Sequence, residues 1–99
     1  MPVFALTYGP GPGWDPTRAR REQPGWDEHA AFMDRLVDEG FVVLGGPIGT
    51  GERVLLVVEA AGEQEVEARL AADPWSPLGV LAMERMEPWT IWLDGRSRG

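Results

Sequence analysis

The chain contains no cysteine, so no disulfide framework holds it and no thiolate is available as a nucleophile or metal ligand. It has no asparagine and no lysine, and its nine basic residues are all arginine. Sixteen acidic residues leave a net charge of −7 and a pI near 4.5. That balance excludes a general nucleic-acid binder, whose affinity comes from neutralising phosphates. No apolar run approaches the roughly 18 residues of a membrane span, and no basic stretch introduces an early apolar segment, so neither a transmembrane helix nor a secretory leader is expected. A cysteine-free chain fits a reducing cytoplasm, the expected location. There is one histidine, and the carboxylates scatter over helix surfaces, so no metal site is specified. The glycines at 9, 11 and 13 and at 46, 49 and 51 do not open a helix at the dinucleotide-binding spacing, and no cofactor is expected.

What the chain does contain is one domain's worth of alternating elements. Ninety-nine residues, 43% of them apolar, bury only a modest core, which a second subunit would help to stabilise. Val3–Tyr8 reads as a strand ended by Gly9-Pro10. Residues 9–25 follow as a long loop with four glycines, four prolines, Trp14 and the cluster Arg18, Arg20 and Arg21. A helix is expected over Asp27–Glu39, with Asp27 as N-cap and Gly40 after its end. On it His29, Phe32, Met33, Leu36 and Val37 fall on one face. Strands are expected at Phe41–Leu44, closed by Gly45-Gly46-Pro47, at Arg53–Ala60 after the turn Ile48–Glu52, and at Leu81–Trp89, with Thr90–Leu93 extending the last or adding a short fifth. A second helix covers Gln64–Ala72 with Val66 and Leu70 inward, and Gly95–Gly99 is expected to fray.

The order β-α-β-β-α-β predicts a ferredoxin-like α+β fold: an antiparallel sheet with two helices on one face. The other face should alternate apolar and polar residues, yet Val54–Val58 is apolar throughout. A second copy of the same sheet is the expected cover, giving a homodimer or higher homo-oligomer. The alternative is a monomer whose loop or tail covers that face.

The candidate site centres on His29. A lone imidazole on an apolar stripe is either a general acid/base or a satisfied, partly buried histidine without chemistry. Asp73, in Asp73-Pro74-Trp75 after the second helix, could orient it. It could equally be only a helix stop, because proline disfavours helical geometry in the residue before it. Five tryptophans are many for this length, and indole walls beside an imidazole would suit a flat aromatic ligand. Trp14 and Trp26 bracket the long loop, as a lid or as pins. The arginine cluster could hold a carboxylate, phosphate or enolate oxygen, or simply be solvated. The expected ligand-contacting set is Tyr8, Trp75, Phe32, Arg18 and Arg21.

Taken together, the helix HAAFMDRLVDEG opening at His29, the strand-turn FVVLGGPI, the strand VLLVVEA, the helix EQEVEARL, DPWSPLGV and the closing EPW resemble the YciI-like (YCII-related domain) family. The resemblance covers nearly the whole chain apart from residues 9–26 and the tail. It implies a ferredoxin-like fold assembled as a dimeric α+β barrel, with a site built on a His and an Asp that map to His29 and Asp73. Family members with assigned roles look like small-molecule lyases or dehydrohalogenases on aromatic or quinoid substrates. The expected function is accordingly a cofactor-free lyase or isomerase acting on a small aromatic or cyclic metabolite. The alternatives are a non-catalytic dimeric module that binds a metabolite or protein, and a cofactor-free monooxygenase of the same superfold.

Overall fold

The computed structural model describes residues 1–96; the last three residues of the expected frayed tail lie outside them. The elements run β1 (Val3–Pro10), a 3₁₀ turn (Arg20–Glu22), α1 (Trp26–Asp38), β2 (Val42–Ile48), β3 (Arg53–Glu59), α2 (Glu63–Ala71) and β4 (Leu81–Pro88). The four strands form one antiparallel sheet in the order β2-β3-β1-β4. Phe32 and Leu36 of α1 and Val66 and Leu70 of α2 pack with Phe4, Leu6, Leu56 and Val58 into one core. Both helices therefore lie on the same face, and the fold is α+β, ferredoxin-like.

Several boundaries differ from the expected ones, each for a local reason. The N-cap of α1 is Gly25, not Asp27, which sits in the first turn beside Glu28 where its charge faces the positive end of the helix dipole. The other end follows the expectation. Gly40 adopts a left-handed φ of 81°, and the Gly40 and Phe41 N–H groups donate to the carbonyls of Val37 and Leu36. This is a Schellman closure, which favours glycine at that position.

β2 runs through Gly45-Gly46-Pro47 instead of stopping before it. It is an edge strand, where a proline without an N–H removes no ladder bond on its open side. β1 likewise continues through Gly9 and Pro10, which pair only with β4, since its pairing with β3 ends at Tyr8–Val54. Beyond Pro88 the ladder stops: Trp89 N–H still donates to the Val3 carbonyl, but Thr90–Leu93 forms no strand, and Trp92 and Leu93 are exposed.

The long loop is built, not slack. Gly11 and Gly13 N–H groups donate to the carbonyls of Val80 and Gly79, carrying the β1–β4 pairing past the strand ends. A Cβ on Gly11 would lie 2.2 Å from the Gly79 carbonyl oxygen, and one on Gly13 1.9 Å from that of Leu78, so neither position has room for a side chain. At the other end the buried Gln23 side chain accepts from Asp15 N–H and donates to the Asp15 and Arg18 carbonyls. Three hydrogen bonds from one buried amide satisfy backbone groups that a wandering loop would leave to water.

On the helix-free face, Leu55 and Val57 alternate with the core residues Leu56 and Val58 and stand opposite Thr7 and Ala5. Val57 is buried, although it lies outside the helix-side core.

Candidate active site

Helix geometry sorts the apolar face of α1 into two rows. Residues four apart turn by about +40° and residues three apart by about −60°. His29, Met33 and Val37 thus form one row, which lines a cleft of about 720 Å³ between the helices and the sheet. Phe32 and Leu36 form the second row, which enters the core.

The chain after α2 delivers Asp73. Its own N–H donates to the Leu70 carbonyl, and its carbonyl accepts from Ser76 N–H, so the segment closes as a tight turn against the helix end. The Asp73 carboxylate oxygens lie 2.8 and 2.9 Å from His29 Nδ1, and Oδ1 also accepts from the Trp75 N–H at 2.8 Å. Asp73 therefore both ends α2 and meets the imidazole. The two side chains keep only 13% and 14% of their surface exposed, which shields the pair from competing water.

Indoles hold the ring in place. Trp75, 2% exposed, stacks on His29 with centroids 3.8 Å apart and planes 9° from parallel. Trp26 tilts against both rings, 5.7 Å from His29 and 5.6 Å from Trp75. Trp75 is itself anchored: its Nε1–H donates to the Pro24 carbonyl at 2.8 Å, tying the long loop to the site. A carboxylate facing Nδ1 selects the tautomer with its proton there, which leaves Nε2 as the basic nitrogen. Nε2 has no partner among the described residues, and it is not sealed from solvent.

Two further polar groups line the same cleft. Tyr8 reaches it from β1, and its hydroxyl has no hydrogen-bond partner among the described residues and is not sealed. Burial, with a smaller contribution from the Asp73 carboxylate, holds the phenol above its ordinary value of 10.0. The group therefore stays protonated at neutral pH, as a hydrogen-bond donor. Arg20 enters from the 3₁₀ turn, and burial pulls its guanidinium below the ordinary arginine value. It lies 5.3 Å from the Trp14 ring and donates from Nη2 to the Gly51 carbonyl at 2.5 Å, while Nη1 is buried without an acceptor among the described residues.

Of the residues expected at the site, the structure brings His29, Asp73, Tyr8 and Trp75 together and leaves out three. Phe32 is a core residue, because its row on α1 points away from the cleft. Arg18 is turned outward, 3.2 Å from the Asp15 carboxylate in an exposed pair. Arg21 is exposed and does not line the cleft. Sequence reasoning missed Arg20 as the member of the cluster that faces inward; a 3₁₀ turn, which sends neighbouring side chains in different directions, is the signal that separates the three. Met33, expected only as part of the same helix face, lines the cleft in place of Phe32 because it lies four residues from His29. Among the described residues no three His, Cys, Asp or Glu side chains cluster as a metal-ligand set.

No family model matches the chain, and no curated protein matches it. A solved structure does: 5-chloro-2-hydroxyhydroquinone dehydrochlorinase (TftG) from Burkholderia phenoliruptrix AC1100, in complex with 2,5-dihydroxybenzoquinone. The two are 26% identical and superpose with a TM-score of 0.57, covering 88% of this chain and 93% of that one. The similarity covers most of the fold and agrees with a small-molecule enzyme built on this architecture.

Proposed function

We propose that this chain is a lyase or isomerase in which His29, oriented by Asp73, moves a proton on a small aromatic or quinoid ring. One observation carries the proposal: the only imidazole in the chain has Nδ1 held by a carboxylate and Nε2 open to a cleft walled by indole and phenol rings. That is the arrangement of a general base with its orienting group. The similarity to an enzyme that eliminates chloride from a hydroxylated ring, and the sequence resemblance to the YciI-like family, support the same chemistry.

In an elimination from the keto tautomer of a hydroxylated ring, Nε2 takes the proton of a ring hydroxyl, the electron pair left on that oxygen closes to a carbonyl and shifts the ring double bonds, and the leaving group departs from the saturated carbon with its bonding electrons. In an isomerisation, the same nitrogen returns the proton at another ring position. Negative charge develops on a ring oxygen in either case, and the Tyr8 hydroxyl is the donor placed to stabilise it. The Asp73 carboxylate stabilises the imidazolium formed when Nε2 accepts the proton.

Two copies packed through their helix-free faces complete the proposed unit. Support comes from the apolar run Val54–Val58, which leaves Leu55 half-buried on a face no helix covers, beside Val57, already buried within the single chain. A cysteine-free chain fits work in the cytoplasm.

The test is turnover of 5-chloro-2-hydroxyhydroquinone, followed by chloride release. His29→Ala is expected to lower kcat by about 10²–10⁴-fold, with binding of 2,5-dihydroxybenzoquinone retained. Unchanged turnover in the variant refutes the role of His29. Saturable binding of such rings by the wild type, with no turnover of any of them, identifies a metabolite-binding module instead.

A further inference from the structure

We propose that Arg20 makes the cleft selective for anions: its ligand is a planar ring carrying an ionised oxygen, a carboxylate or an acidic ring hydroxyl, which becomes the counter-ion of this guanidinium. The inference rests on reading the cleft as the ligand site, but not on His29 being catalytic.

Arg20 has an unusual set of partners for a partly buried arginine. Among the described residues its side chain makes one hydrogen bond, to a neutral carbonyl, that of Gly51 in the β2–β3 turn, and its guanidinium carbon lies 5.3 Å from the Trp14 ring centre. Among the described residues no carboxylate pairs with it, although Arg18, Arg53, Arg69, Arg85 and Arg96 all have one. Nη1 is buried with no acceptor among the described residues. A guanidinium in this setting normally finds a carboxylate or phosphate, because a shielded charge without one is costly.

The surroundings argue against a fortuitous surface charge. Among the described residues Arg20 is the only arginine lining the cleft, whose other charged groups are the carboxylates of Asp34, Glu67 and Asp73. In a chain of net charge −7, an anionic ligand entering past those carboxylates needs a local positive group, and Arg20 is the one provided. The residue also spans the cleft margin, from the long loop on one side to the hairpin turn on the other. A small turn of the guanidinium toward an incoming oxyanion gives Nη1 the acceptor it lacks, and an arginine fork offers two parallel donors to such a group.

Equilibrium binding by calorimetry tests this at constant ionic strength and pH 7. The probes are two ionised rings, 2,5-dihydroxybenzoquinone and salicylate, and their neutral counterparts, 2,5-dimethoxybenzoquinone and salicylamide. The wild type is expected to favour each anion over its neutral counterpart by about tenfold or more, the scale of one charge-assisted contact. Arg20→Gln should abolish that preference while leaving affinity for the neutral rings within about twofold, and Arg20→Lys should keep part of it. The proposal is overturned by no anion preference in the wild type, by an unchanged preference in Arg20→Gln, or by no saturable binding of either anion. An equal loss for anions and neutral rings also overturns it, since that assigns Arg20 to holding the loop against the hairpin. Because no turnover is read, a failed His29→Ala kinetic test and a failed Arg20 binding test remain separate results.

Discussion

Replacing Asp73 by Asn should move a proton from one side of an imidazole to the other. Asp73 Oδ1 accepts the Trp75 N–H at 2.8 Å and lies 2.9 Å from His29 Nδ1, while Oδ2 lies 2.8 Å from that same nitrogen. The asparagine keeps a single acceptor oxygen. Facing the fixed Trp75 N–H with an NH₂ group would set two donors against each other, so the amide oxygen stays on Trp75. The NH₂ group then occupies the Oδ2 position and donates to Nδ1, which must become an acceptor, and the neutral ring carries its proton on Nε2. In the wild type the hydrogen bond to a carboxylate favours the Nδ1–H tautomer by about 1.5–3 kcal/mol; in the variant a neutral bond favours the opposite one by about 0.5–1.5 kcal/mol. The tautomer balance should therefore swing by about 2–4.5 kcal/mol in all. Long-range ¹H–¹⁵N correlation spectra read the tautomer directly, and the chain's single histidine makes the assignment unambiguous. With Nε2 no longer basic, kcat should fall by about 10²–10⁴-fold while ligand affinity changes little. The same tautomer in both proteins, or a wild type with its proton on Nε2, refutes the reasoning.

Two other perturbations follow from the same geometry. The folded Tyr8 phenol holds its proton beyond the ordinary value of 10.0. Above about pH 10 the unfolded chain therefore ionises first, and stability falls as pH rises. Tyr8→Phe should lose that part of the alkaline slope in chemical denaturation and lower kcat by about 10²-fold; an identical slope in both proteins argues against the buried phenol. Leu55→Glu places a charge on the helix-free face without touching the cleft, and should turn a dimer into a monomer in sedimentation velocity. A wild type that is monomeric at every concentration removes the face-to-face arrangement.

The fold was legible because its signals are local: short apolar and β-branched runs bounded by glycine and proline, an α1 face marked by spacing, and Gly40 set where a left-handed residue is required. The His29–Asp73 contact was legible for a related reason, since a helix stripe and the Asp-Pro that ends the other helix both have fixed positions relative to the sheet. What was missed depends on details finer than a face. Phe32 and Met33 both follow His29 at helical spacing, yet about 100° of rotation between neighbours sends one to the core and the other to the cleft. Arg20 cannot be told from Arg18 and Arg21 by composition; the 3₁₀ turn that opens at Arg20, after Arg18, separates it from both. Strand ends were missed at Gly9-Pro10 and Gly45-Gly46-Pro47 because these residues break a ladder only where a neighbouring strand needs the missing N–H. In both places none does.

The fixed ends of the long loop set how this protein can be re-engineered. Gly11 and Gly13 are clamped against the backbone of residues 78 and 79, and beyond Arg21 the chain is fastened by Gln23 and by Pro24's carbonyl to Trp75. Between those two rivets, the stretch from Trp14 to Arg21 forms a cassette that meets the cleft through Arg20 without entering the core. A library confined to that cassette, whose backbone groups at Asp15 and Arg18 stay bonded to Gln23 whatever side chains stand there, would vary ligand preference while leaving the sheet, the helices and the His29–Asp73 pair unchanged. Diversity spent on the glycines instead would be lost to misfolding before any new substrate could be tried.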